Sequence, residues 1–118
     1  MNPGDEILTD APTDNMGKGE AFSPTDLVAG ALGSCMLTVM GIAAQKYTID
    51  LTGITVGVIK EMATTPVRRI AKISVSFQMA PGIDPAKRSV LERAAHTCPV
   101  YKSLHPDVEI PVAFHYPD

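Results

Sequence analysis

Two cysteines are the residues best suited to chemistry in this sequence. Cys35 lies in the uncharged stretch 27–44, and Cys98 directly precedes Pro99. The first residues lack the basic and then apolar order of a secretory signal, so we expect a cytoplasmic protein with reduced thiols. Two cysteines without C-x-x-C spacing do not make a structural zinc site, and we expect neither a metal nor a cofactor. The thiols therefore serve redox chemistry or simple packing.

The two thiols are predicted to have different environments. Cys98 should cap a short helix opened by Pro99, where unpaired N–H groups and the helix dipole favour a thiolate. Cys35 lies well inside an apolar helix, where burial disfavours a charged sulfur. On these grounds Cys98 should be the more acidic thiol. A buried cysteine often acts only as a small hydrophobic residue, so packing remains the alternative for Cys35.

Composition excludes some classes of function. The chain has 118 residues, which favours a single domain over residues 1–118, and a formal net charge of −3. The ten Lys and Arg residues are scattered rather than clustered, so we expect no nucleic-acid partner. His96, His105 and His115 are predicted on a helix, a loop and a strand, without the spacing of metal ligands.

The element that must position Cys35 is a helix predicted from Ser23 to Ala44. Its first turn contains residues that suit a helix start, namely Ser23, Pro24, Thr25 and Asp26. Because the stretch 27–44 has no charge, the helix belongs in a core or an interface. Its glycines and hydroxyl residues make it weakly hydrophobic for lipid, so we reject a membrane span. One face has small residues that permit close packing: Ala29, Gly30, Gly33 and Ser34.

The remaining pattern predicts an α+β domain. A short strand is expected at Ile7 and Leu8, followed by a loop. Alternating apolar residues then predict an antiparallel hairpin, with one strand from Ile54 to Met62 and another from Ile73 to Met79. An amphipathic helix follows Asp84, a short helix begins at Pro99, and an edge strand covers residues 108–116.

The stretch SPTDLVAGALGSC, followed far downstream by HTCPVYKSL, resembles the OsmC/Ohr family of small thiol-dependent hydroperoxide reductases. The resemblance covers most of the chain. It implies an antiparallel sheet wrapped around a long buried central helix, in an intertwined homodimer with active sites at the subunit interface. It also implies organic hydroperoxides as the substrate class.

The resemblance assigns roles to both cysteines. Cys35 would be the peroxidatic thiol that becomes a sulfenic acid, Cys98 would resolve it to a disulfide, and an external dithiol would restore both. Strongly active members hold the thiolate with an N-terminal arginine and a glutamate after the motif proline. Here Thr25 follows that proline, and the basic candidates are Lys18, Arg68 and Arg69, so we expect weak activity. The alternative is a non-catalytic dimeric module that binds an apolar small molecule between the central helices.

Overall fold

The computed structural model describes residues 2–117 as three helices and a three-stranded sheet. Two short 3₁₀ helices, Thr13–Asn15 and Pro85–Lys87, lie in the connections. In chain order the main elements are α1 (Pro24–Lys46), β1 (Thr55–Ala63), β2 (Arg69–Gln78), α2 (Arg88–Ala95), α3 (Pro99–Ser103) and β3 (Val112–His115). The α+β class expected from the sequence is confirmed.

Helix α1 begins where the sequence predicts it to begin. The Ser23 hydroxyl accepts a hydrogen bond from the Asp26 N–H at 3.1 Å, and the Asp26 carboxylate accepts one from the Ser23 N–H at 3.0 Å. This reciprocal pair is a capping box, which satisfies donors that the first helical turn leaves without partners. Pro24 occupies the first helical position, where its missing N–H has no cost.

The sheet has the order β1-β2-β3. Strands β1 and β2 pair antiparallel, from Thr55 opposite Gln78 to Ala63 opposite Arg69, which confirms the predicted hairpin. Strand β3 pairs with β2 in parallel, so the expectation of a wholly antiparallel sheet is corrected to a mixed sheet. Two helices lie between β2 and β3 in the chain, and such a crossover lets a strand return in the same direction.

Helix α1 packs one face on the inner side of this sheet and on α2. Its Leu32, Met36 and Met40 are completely buried, as are Ile73 and Phe77 of β2. A Cβ added at Gly33 would lie 2.9 Å from Val58 Cγ1, so the small residue allows β1 to approach the helix closely. The tight packing predicted for this small-residue face is thus made partly by a strand of the same chain.

The opposite face of α1 is not covered within this chain. It is exposed along the helix and has no charged side chain, and its residues are Gly30, Ala31, Ser34, Thr38, Gly41 and Ile42. A single chain therefore buries the central helix on one side only, not all round. By length and composition α1 could also span a membrane, but it supplies core residues of the fold.

The N-terminal segment differs from its prediction. Ile7 and Leu8 are 72% and 90% exposed and belong to no strand. A strand requires a pairing partner, and the backbone hydrogen bonds of this segment run instead from Asp5 N–H to Asn2 C=O and from Asp10 N–H to Phe22 C=O. Phe22 is 70% exposed, so it does not pack firmly at the entry of α1.

Candidate active site

The structure brings the two cysteines together. Cys35 lies in the middle of α1, and Cys98 is the N-cap of α3, the short helix that packs against α1. Their side chains lie close enough for the Cys35 thiol to raise the pKa of the Cys98 thiol. Both are free thiols. Two residues that are distant in sequence thus form one sulfur pair because α3 is anchored on the central helix.

Cys98 has the environment of a core residue. It is completely buried, and its sulfur accepts a hydrogen bond from the Tyr101 N–H at 3.2 Å, which caps α3. Burial raises the pKa of the Cys98 thiol, and the Cys35 thiol raises it further, although the Tyr101 N–H acts in the opposite direction. The expectation of an acidic Cys98 at a helix N-terminus is therefore wrong, because desolvation outweighs the short helix.

Cys35 is the more accessible member of the pair. It is only partly buried, at the border between the packed and the exposed face of α1. Of the two residues, Cys35 is therefore the one that a small reactant from solvent can approach, whereas Cys98 is enclosed in the core. The arrangement can support attack by one thiol followed by condensation with the other.

The three basic residues considered from the sequence lie at other places. Arg68 is 3.7 Å from the Asp14 carboxylate, and Arg69 donates to the Ile70 carbonyl at 3.2 Å. The Lys18 N–H donates to Asp10 at 3.2 Å. Within residues 2–117 none of these three side chains has a hydrogen bond with a thiol. None of the three basic residues that the sequence suggested therefore supplies a hydrogen bond to either cysteine.

A basic residue that the sequence reasoning missed is Lys60. Its amine lies 2.8 Å from both the Thr25 hydroxyl and the Asp26 carboxylate, and its side chain is only 14% exposed. The signal was present in the sequence, because Lys60 continues the inward-facing series of Val56 and Val58 on β1. The lysine therefore lies at the first turn of α1, beside Thr25 and Asp26.

Other polar residues of the helices and strands that follow already have hydrogen-bond partners. The His96 Nδ1 lies 2.8 Å from the Glu92 carbonyl, to which it donates, and its ring meets the Tyr101 ring edge-on at 5.4 Å. The Tyr116 hydroxyl donates to the Glu92 carboxylate at 2.8 Å. In the described part of the chain no group of three or more His, Cys, Asp or Glu side chains could hold a metal ion.

The fold brings the two thiols near each other, and the comparisons with known proteins name the family of the chain. The family model described as OsmC-like protein matches residues 17–113. The chain therefore belongs to the OsmC family, as the motifs around the two cysteines indicate. Among curated proteins, no sequence matches the chain significantly.

Solved structures agree with this assignment. A Psychrobacter arcticus 273-4 protein, described as an osmotic stress induced and detoxification response protein, is 48% identical, with a TM-score of 0.87 over 94% of this chain and 80% of that one. The Legionella pneumophila organic hydroperoxide resistance protein OsmC is 18% identical, with a TM-score of 0.75 over 89% and 77%. The Bacillus subtilis organic hydroperoxide resistance protein OhrB is 17% identical, with a TM-score of 0.67 over 80% and 71%. The two distant matches show the fold.

Proposed function

We propose that this protein is a thiol-dependent reductase of organic hydroperoxides that works in the cytoplasm. Cys35 is the peroxidatic thiol and Cys98 the resolving thiol. The observation that carries the proposal is that two thiols of unequal exposure lie near each other. Membership of the OsmC family supports it, as do the names of two structural neighbours, which are organic hydroperoxide resistance proteins.

The reaction proceeds in three balanced steps. The Cys35 thiolate attacks one peroxide oxygen, so an S–O bond forms, the O–O bond breaks, and the alkoxide leaves and takes a proton to become an alcohol. The Cys98 thiolate then attacks the sulfenic sulfur, and hydroxide leaves as water once protonated. The product disulfide accepts two electrons from an external dithiol, which is itself oxidised to a disulfide.

The polar environment predicts a slow first step. Each pKa unit of thiolate stabilisation corresponds to about 1.4 kcal/mol, so a thiol without an adjacent cation is less often ionised at neutral pH. Lys60 lies at the start of α1 and is paired with Asp26. We therefore expect the parent protein to turn over organic hydroperoxide slowly.

Mass spectrometry after treatment with cumene hydroperoxide tests the role of each thiol. The parent should lose two hydrogens as the Cys35–Cys98 disulfide forms, and Cys98→Ser should accumulate a sulfenic acid that dimedone traps. Cys35→Ser should consume no peroxide. If Cys35→Ser reacts as fast as the parent, Cys98 is the nucleophile and the proposed roles are wrong.

The functional unit that we propose is an intertwined homodimer. The exposed, uncharged face of α1 supports it, because apolar and small residues on one long helix face favour a partner helix. Light scattering at micromolar concentration should give twice the chain mass, and Thr38→Arg, which adds a charge to that face, should reduce it. A folded parent protein that scatters as a monomer would contradict the dimer.

A further inference from the structure

A cavity of about 680 Å³ lies at the N-terminal end of α1, between the β1–β2 turn and the segment that follows α3. Its lining includes Thr25 but neither cysteine. Thr25 and Cys35 are ten residues apart on one helix, which places them about 15 Å apart along its axis. We propose that this cavity binds an apolar carboxylic acid, whose carboxylate contacts the Arg69 guanidinium and the Thr25 hydroxyl.

The first argument is the state of Arg69. In the described residues its guanidinium has one hydrogen-bond partner, the Ile70 carbonyl at 3.2 Å, and no carboxylate at salt-bridge distance. A guanidinium has five N–H donors, so several remain for a planar anion that accepts two parallel hydrogen bonds. The neighbouring Arg68 is different, since it is exposed and lies 3.7 Å from the Asp14 carboxylate.

The second argument is the direction of the Thr25 hydroxyl. Its oxygen accepts from the Lys60 amine at 2.8 Å and lies 3.2 Å from the Ser23 oxygen. Ser23 is 2% exposed and already accepts from the Asp26 N–H, so its own hydrogen needs an acceptor, for which Thr25 and the Asp26 carboxylate are both in reach. Thr25 lines the cavity, and its hydroxyl has a hydrogen to donate to a ligand there whenever the Ser23 hydroxyl is the donor of their pair.

The third argument is the character of the walls. Ile70, Leu104 and Val108 supply a hydrocarbon surface, and the volume falls within the range of small-molecule sites, about 300–1,000 Å³. Asp107 is the one carboxylate among the lining residues, and its side chain is 70% exposed at the rim. Arg69 and Thr25 therefore line a largely apolar space, which fits an acyl chain with a carboxylate at one end.

Calorimetric titration of the reduced protein with octanoate tests the site. Arg69→Gln should weaken octanoate binding about tenfold or more, while the matched control Arg68→Gln should stay within about twofold. Thr25→Val should weaken it several-fold, whereas Thr25→Ser, which keeps the hydroxyl, should bind like the parent. Asp107→Asn should tighten binding modestly, because it removes the one negative lining group. Circular dichroism verifies that each variant is folded.

Four results would overturn the proposal, three from these titrations and one from a cysteine variant. Octanoate could fail to bind, octan-1-ol could bind as tightly as octanoate, or Arg68→Gln could lose as much affinity as Arg69→Gln. The site does not depend on the thiol chemistry, so Cys35→Ser should bind octanoate with unchanged affinity even if no peroxide is reduced. Loss of octanoate binding in Cys35→Ser would place the acid at the thiols and reject the separate site.

Discussion

The middle and the first turn of α1 are built in opposite ways. In the middle, the side chains of Cys35 and Cys98 lie near each other, and burial raises the pKa of Cys98. In the first turn the charged and hydroxyl groups are densely connected, with Lys60 bound to Thr25 and Asp26. The polar and charged contacts of α1 therefore lie at its first turn, and its centre is apolar. In the middle, exposure of each sulfur rather than a neighbouring charge should decide which thiol reacts.

The largest effect that we predict concerns the packing of the middle of α1 on β1. Gly33→Leu should lower the free energy of unfolding by about 3 kcal/mol, because even a Cβ at this position lies 2.9 Å from Val58 Cγ1. Urea denaturation measures the loss. Gly33→Ala should also destabilise, whereas the control Gly57→Ala should not, because Gly57 is exposed on β1 and a Cβ there meets nothing within 4 Å. Equal effects of the two alanine variants would show that β1 does not pack closely on α1.

Much of this arrangement could be predicted from the sequence because it rests on local signals. The capping residues Ser23 and Asp26 fixed the start of α1, and Pro99 after Cys98 fixed the start of α3. The alternation of apolar residues predicted the hairpin. The order of the two cysteine motifs indicated the family, which the family model confirms.

The remaining features depend on contacts between distant segments. The burial of Cys98 results from the packing of α3 on α1, so a helix-terminus argument applied to the local sequence gave the wrong direction for its pKa. The parallel pairing of β3 depends on the path of the chain through α2 and α3. Lys60 could have been found, since a lysine in an inward-facing strand position needs a partner, but that partner lies 34 residues away in Asp26.

The second prediction tests the asymmetry of the thiol pair. Under native conditions near neutral pH, iodoacetamide should modify Cys35 about tenfold faster than Cys98, because Cys98 is buried and its raised pKa leaves less thiolate. Peptide mass mapping over time gives both rates. In concentrated guanidinium chloride the two rates should converge, which controls for the intrinsic reactivity of each sequence context. Faster native modification of Cys98 would show that the N-terminus of α3 does activate its thiol.

The smallest effect concerns the first turn of α1, where Lys60 holds the pKa of the Asp26 carboxyl below its usual value, with a further contribution from the Ser23 N–H. Lys60→Met keeps most of the aliphatic length but removes the amine, so it should cost about 0.5–1 kcal/mol, since the Asp26 side chain is 41% exposed and solvent screens the pair. The matched control Lys72→Met, which removes a more exposed amine 3.9 Å from Glu61, should cost less.

The pH dependence gives this last prediction its sign. A carboxyl whose folded-state pKa is lowered contributes stability that is present above its unfolded pKa of about 3.9 and is lost as the pH falls through the folded value. Urea denaturation between neutral and acidic pH should therefore show the parent and Asp26→Asn converging as the carboxyl becomes protonated. A stability difference that stays constant over that range would mean that Asp26 acts through its shape rather than its charge. Charge would then contribute no more to stability at the first turn than it does in the middle of α1.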